Sequence, residues 1–245
     1  KKIKERRPDL PVLLLLNTPS DLPMVEGQRQ QLECIDNVFI WSGDSTLFVA
    51  MIKSIEDRKN LSFDTKKGLV RVILLVEDSI PRYSAFLPLL YSEIVKQTHR
   101  LISDEVTEAN RRMRMRLRPK VIMVHDLESA LQVYEAYKES LLCVISYVEF
   151  PANGVLTADA GVKLIRLIRA ENPSMPLLLQ SADDEKKELA SALNAHFINK
   201  NSEHLLREVR EFIISQLGFG DFVFRGHRGN EVARASSMLE FISLL

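Results

Sequence analysis

The sequence predicts an α/β fold, a doubly wound five-stranded parallel sheet with helices on both faces. Two observations predict it. Short apolar runs alternate, over five successive units, with stretches whose apolar residues recur at helical spacing. Four of the five runs also end in polar residues, as strands do when their carboxyl ends face a ligand crevice.

The strands are expected at Val70 to Val76, Val121 to Val124, Leu142 to Ser146, Leu177 to Leu179 (introduced by Pro176) and His196 to Asn199. Helical spacing falls on Leu127 to Lys138, Gly161 to Ala170, Asp184 to Leu193 and Glu203 to Leu217. Ser202 is suited to cap the last of these and Gly218 to stop it. The first connection, Ile80 to about Leu117, is long. Phe86, Leu89, Leu90, Ile94 and Ile102 predict an extended helix followed by a second helical piece. It closes on a basic run, Arg111, Arg112, Arg114, Arg116, Arg118 and Lys120, interleaved with Met113, Met115 and Leu117. With no aromatic stacking platform and no overall basicity, this run reads as a solvated helix end rather than a nucleic-acid surface.

Residues 1–62 repeat the second half of this pattern. Ile3, Pro8, Pro11 and Val12 to Leu16 parallel Ile168, Pro173, Pro176 and Leu177 to Ser181. Asp36 to Ile40 and Leu47 to Asp57 then parallel the last strand and helix. A half-sheet leaves an edge and an apolar face unpaired, so this unit is expected to begin inside a domain whose first three strands lie elsewhere. Leu16 and Ser42 stand where the central unit has Ser181 and Lys200. Residues 63–68 are read as a linker, 69–217 as the central domain and 218–245 as an extension. In that extension Gly218 to Arg225 should be extended and Glu231 to Leu245 helical.

Lys plus Arg and Asp plus Glu number 33 each, so no global field draws the chain to nucleic acid or an anionic membrane. Cys34 and Cys143 lack metal or redox spacing and read as small hydrophobes in a reducing compartment. The five histidines show no ligand spacing either. No apolar run reaches the roughly 18 residues of a membrane span, and a cytoplasmic protein is expected.

The strand ends carry the chemistry. Glu77 and Asp78 suit a hard divalent cation, Ser181 a phosphoryl oxygen, and Lys200 a second such oxygen. The third strand ends at Tyr147, where phosphoryl transfer would need a nucleophilic carboxylate. Asp159, twelve positions further along, is too distant in sequence to fill that slot. No Gly-rich phosphate loop follows strand one, where Ser79, Ile80 and Pro81 stand, which argues against a nucleotide-binding or phosphatase domain.

The acidic pair, Pro151 four residues beyond Tyr147, Gly154, Ser181 followed by Ala182, and Lys200 together resemble the receiver domains of two-component response regulators, over about Leu69 to Leu217. The resemblance implies a flavodoxin-like fold, protein partners (a histidine kinase, an attached output domain or a tandem receiver, with a homodimer among the assemblies expected), and no enzymatic activity of its own. It implies a magnesium site at Glu77 and Asp78, weakened by loss of a third carboxylate. It makes Tyr147 the phosphoacceptor-equivalent position of a degenerate module, with Ser181 and Lys200 as phosphoryl contacts. Asn201 departs from the family's proline after the lysine. The layout also resembles tandem receivers preceding a phosphoenolpyruvate synthase or pyruvate phosphate dikinase-like enzyme. An alternative is a phosphorylatable receiver in the natural parent, with Tyr147 a local variant, regulating such an attached enzyme.

Overall fold

The computed structural model describes residues 2–27, 34–68, 70–103, 118–217, 222–225, 231–235 and 243. Its centre is a parallel sheet of β3 (Val72–Val76), β4 (Lys120–Val124), β5 (Leu141–Tyr147), β8 (Leu177–Ser181) and β9 (His196–Asn199). The order is β4-β3-β5-β8-β9, all neighbours parallel, which is the flavodoxin-like arrangement. The continuous apolar runs form strands because both faces are covered. Ile73, Leu75, Cys143, Ile145, Leu178 and Ile198 pack under α4 (Ile80–Ser103) and α8 (Leu205–Leu217). Val72, Leu74, Val76, Val144, Leu177 and Leu179 pack under α5 (Leu127–Tyr137), α6 (Ala160–Glu171) and α7 (Lys186–Ala192). Each fully buried aliphatic side chain contributes about 1.5–3 kcal/mol.

The predicted strands are all present, β9 with the expected bounds. Asp126 caps α5 by accepting from the Ser129 amide at 2.7 Å. The Ser202 hydroxyl accepts from the His204 amide at 3.1 Å ahead of α8. The long first connection is α4, 24 residues, which continues through Pro88. The second helical piece, and the basic run as far as Leu117, lie outside the described residues, as does Gly218.

The N-terminal unit pairs β1 (Leu13–Leu16) with β2 (Asn37–Ile40) in parallel, between α1 (Lys2–Arg6), α2 (Leu22–Gly27) and α3 (Thr46–Gly68). It is joined to the central domain through α4. The Tyr83 hydroxyl donates to the Val38 carbonyl at 2.5 Å, and the Ser84 hydroxyl accepts from the Ile40 amide at 3.0 Å. These bonds use backbone groups at the β2 edge that a longer sheet would have paired. Phe39 sits edge-on to Tyr83, with ring centroids 5.6 Å apart.

The structure corrects two expectations. The stretch read as a linker, 63–68, is the end of α3, a single 23-residue helix. Its polar residues are placed by long-range pairing: Asp64 meets Lys120 at 2.8 Å, and the buried Asp57 accepts from Arg118, from the Tyr91 hydroxyl at 3.0 Å and from the Val121 amide at 2.9 Å. Arg58 donates to the Met123 carbonyl at 2.8 Å, covering the edge strand β4. In the extension, β10 (Phe222–Arg225) is extended as expected, but Glu231–Ala235 is an antiparallel partner strand, β11, rather than the start of a helix.

Candidate functional site at the carboxyl ends of the strands

Glu77, Tyr147 and Gln180 stand side by side at the carboxyl edge of the sheet. Val76 is in register with Ser146, one step before Glu77 and Tyr147, and Tyr147 is in register with Gln180. On β3, β5 and β8, the alternation that puts Leu75, Ile145 and Leu178 under α4 and α8 puts these three on the same face.

Glu77 extends the pairing of β3, its amide donating to the Val124 carbonyl at 3.0 Å. Its carboxyl is fully buried. Oε1 accepts from the Ser79 amide at 2.8 Å, and Oε2 has no hydrogen-bond partner among the described residues. Burial pushes this carboxyl up to about 8, with the adjacent Asp78 adding to the shift and the Ser79 amide and Arg82 opposing it. The Arg82 guanidinium approaches Oε1 at 4.0 Å. His125 Nδ1 lies 2.7 Å from the Glu77 carbonyl and, facing an acceptor, carries the proton there. Burial lowers the pKa of that imidazole.

Tyr147 is buried, 4% exposed. Its ring meets Phe86 edge-on at 6.5 Å and lies under the Arg82 guanidinium at 5.9 Å. Burial, and secondly Glu77, push the phenol well above the usual tyrosine range, so it is neutral. No hydrogen bond among the described residues joins its hydroxyl to Lys200 or the acids; ring contacts hold it instead.

The Lys200 amide donates to the Ser181 carbonyl at 2.9 Å. The Lys200 ammonium has its pKa lowered by burial and by Arg82, with Glu77 and Glu149 opposing. Its electrostatic neighbours therefore include Arg82 and Glu77, as do those of Tyr147. Ser181 is committed locally, its hydroxyl accepting from the Asp183 amide at 3.1 Å in a turn. Asp159 precedes α6 and pairs with Lys163 at 3.0 Å, away from the row.

Sequence reasoning missed four features. Arg82 and Phe86 come from α4, and nothing local shows that its first two turns lie across the strand ends. Gln180 is fully buried with neither carboxamide atom partnered among the described residues. The fourth feature had a signal. Asn153 and Gly154, with φ of 52° and 74°, form the turn of a hairpin between β6 (Phe150–Ala152) and β7 (Val155–Thr157), and Asn-Gly is the dipeptide such a turn favours. Pro151 and Gly154 thus lie in this hairpin, which the Asn153 amide pins to α5 by donating to Glu128 at 2.8 Å.

The donor set is thin for a divalent cation. Among the described residues no three His, Cys, Asp or Glu side chains converge as metal ligands. One Glu77 oxygen is taken by Ser79, and a guanidinium stands beside it. Two clefts, of about 180 and 440 Å³, lie along α3 and are not lined by Glu77, Tyr147, Ser181 or Lys200.

The raised carboxyl has a consequence for stability. The folded chain keeps a proton on Glu77 up to about pH 8, whereas an ordinary glutamate releases it near 4.5. Between those values the native state binds more protons than the unfolded one, so stability falls as pH rises through the window. Urea unfolding across it is expected to show this decline, and Glu77→Gln to flatten it. An unchanged slope in the variant would assign it to another group.

Fold and site together define a doubly wound α/β protein of flavodoxin-like strand order with Tyr147 buried at the strand ends. No protein-family model and no curated protein matches the chain. A response regulator receiver domain protein from Clostridium thermocellum is a solved structure similar to it at 16% identity, covering 60% of this chain and 94% of that one, with a TM-score of 0.37. At that TM-score the fold assignment rests on this chain's own strand order.

Proposed function

We propose that this chain is a receiver-type signalling module that works by protein contact, without phosphorylation at the end of its third strand. The observation that carries the reading is Tyr147, packed between Phe86 and Arg82 where an acceptor carboxylate would stand. Aspartyl phosphorylation needs a short carboxylate to attack phosphorus while a cation neutralises the equatorial oxygens. A neutral, buried phenol is a poor nucleophile and a poor ligand for a hard cation, and Glu77 and Asp78 alone would hold magnesium weakly. Lys200 and Ser181 are retained as phosphoryl-contact equivalents without that chemistry to serve.

In this reading the chain is not an enzyme and acts in the cytoplasm. Its partners are proteins: a kinase, an output domain, or the receiver-like unit of residues 1–62, which shares α4 with the central domain. The test is chemical. After incubation with a small acyl-phosphate donor and magnesium, the intact mass of the wild-type chain and of Tyr147→Phe should be unchanged. A hydroxylamine-labile adduct mapping to Asp78 or Asp159, or a stable adduct lost in Tyr147→Phe, would sink the proposal.

A further inference from the structure

We infer that Arg82 is the resident cation of the strand-end site, holding the position of positive charge beside Glu77 and excluding a divalent metal. The inference deepens the reading of Glu77, Asp78, Tyr147 and Lys200 as a receiver-type pocket and rests on it.

Three observations converge on Arg82. Its guanidinium lies 4.0 Å from Glu77 Oε1, within ion-pair reach of a carboxyl that is wholly buried. It also lies 5.9 Å from the centroid of the Tyr147 ring, on whose negative face a cation is favoured. Its charge is felt at Glu77, Tyr147 and Lys200 alike, on three different strands or strand ends. One side chain from the first turn of α4 thus stands beside both Glu77 and Tyr147.

A metal ion held by Glu77 and Asp78 would have to sit beside this guanidinium, where like charges repel strongly because the surroundings are partly desolvated. Arginine keeps its charge at any accessible pH, so the position is filled permanently rather than by an exchangeable ion. The same contact fixes Tyr147: the ring is held from one side by Phe86 and from above by Arg82. The cation and the ring it covers are thus fixed together at the strand ends.

The test compares magnesium binding by the wild-type chain and by Arg82→Met, which keeps an unbranched side chain and removes the charge. Amide chemical shifts are followed during titration with magnesium chloride, and the dispersion of the starting spectra controls for folding. The Met variant is expected to show saturable shifts confined to Glu77, Asp78 and the Tyr147 to Glu149 segment, with an affinity at least about tenfold above wild type. Equal affinity in the two proteins, or no saturable binding by either, would overturn the inference. A phosphoryl adduct on the wild-type chain would instead sink the contact-signalling reading, and the magnesium comparison would still decide whether Arg82 excludes the ion.

Discussion

Asp57→Ala is expected to destabilise the chain by about 3–5 kcal/mol, the usual cost of leaving a buried charge without its partner. Asp57 is fully buried near the amino-terminal end of β4 and answers several groups at once. It takes hydrogen bonds from Arg118, from the Tyr91 hydroxyl and from the Val121 amide, and Lys120 stands 3.5 Å away. The Arg118 and Lys120 side chains are themselves only 12% and 7% exposed. Alanine would take this acceptor from Arg118, the phenol and a strand amide together, while Lys120 keeps its pair with Asp64. Because Asp57 lies on α3, Arg118 and Lys120 at β4, and Tyr91 on α4, the loss should loosen the N-terminal unit from the central sheet. Urea unfolding should show the full drop, while Asp159→Ala, which removes an exposed pair with Lys163, should cost under about 1 kcal/mol. A drop below about 1 kcal/mol for Asp57→Ala would mean that the network does not hold the two units together.

Gly161→Ala should cost about 3 kcal/mol, at the upper end for overpacking, because the clash is with backbone. A Cβ at this position would overlap the Tyr147 carbonyl oxygen and come within 3.0 Å of Ser146 Oγ. That oxygen already accepts from the Ser146 hydroxyl at 2.8 Å, and the Gly161 amide donates to the Val148 carbonyl at 2.9 Å. The start of α6 is therefore docked end-on against β5, and relief requires moving the strand end that carries Tyr147. The variant should melt earlier and also alter the near-ultraviolet signature of its tyrosines. A variant as stable as wild type would show that α6 can withdraw from the strand without cost.

The sheet was legible because its determinants are local. Runs such as Val72–Val76 and Leu177–Leu179 are short, uninterrupted and buried on both faces, and they are separated by helices of clear period. Tyr147, Glu77 and Lys200 were placed at the strand ends for the same reason. What lay hidden depends on contacts distant in sequence. Asp57 and Asp64 look like solvated helix polarity until Arg118 and Lys120 are brought against them. The polar stretch at 63–68 is helical partly because of that pairing. Arg82 and Gln180 acquire meaning only when α4 is laid across the sheet. The Asn153-Gly154 hairpin, by contrast, carried its turn signal in the sequence.

The central claim is that the Tyr147 ring fills the strand-end site and is held there by α4. The most direct measurement is nuclear Overhauser spectroscopy on the chain with labelled tyrosine rings, with the Tyr147 signals assigned through Tyr147→Phe and followed through an alkaline titration. Cross-peaks from the Tyr147 ring to the Phe86 ring and the Arg82 side chain are predicted, with a phenol that stays protonated well above the ordinary value of about 10. A Tyr147 ring without contacts to α4 that titrates near that ordinary value would contradict the account.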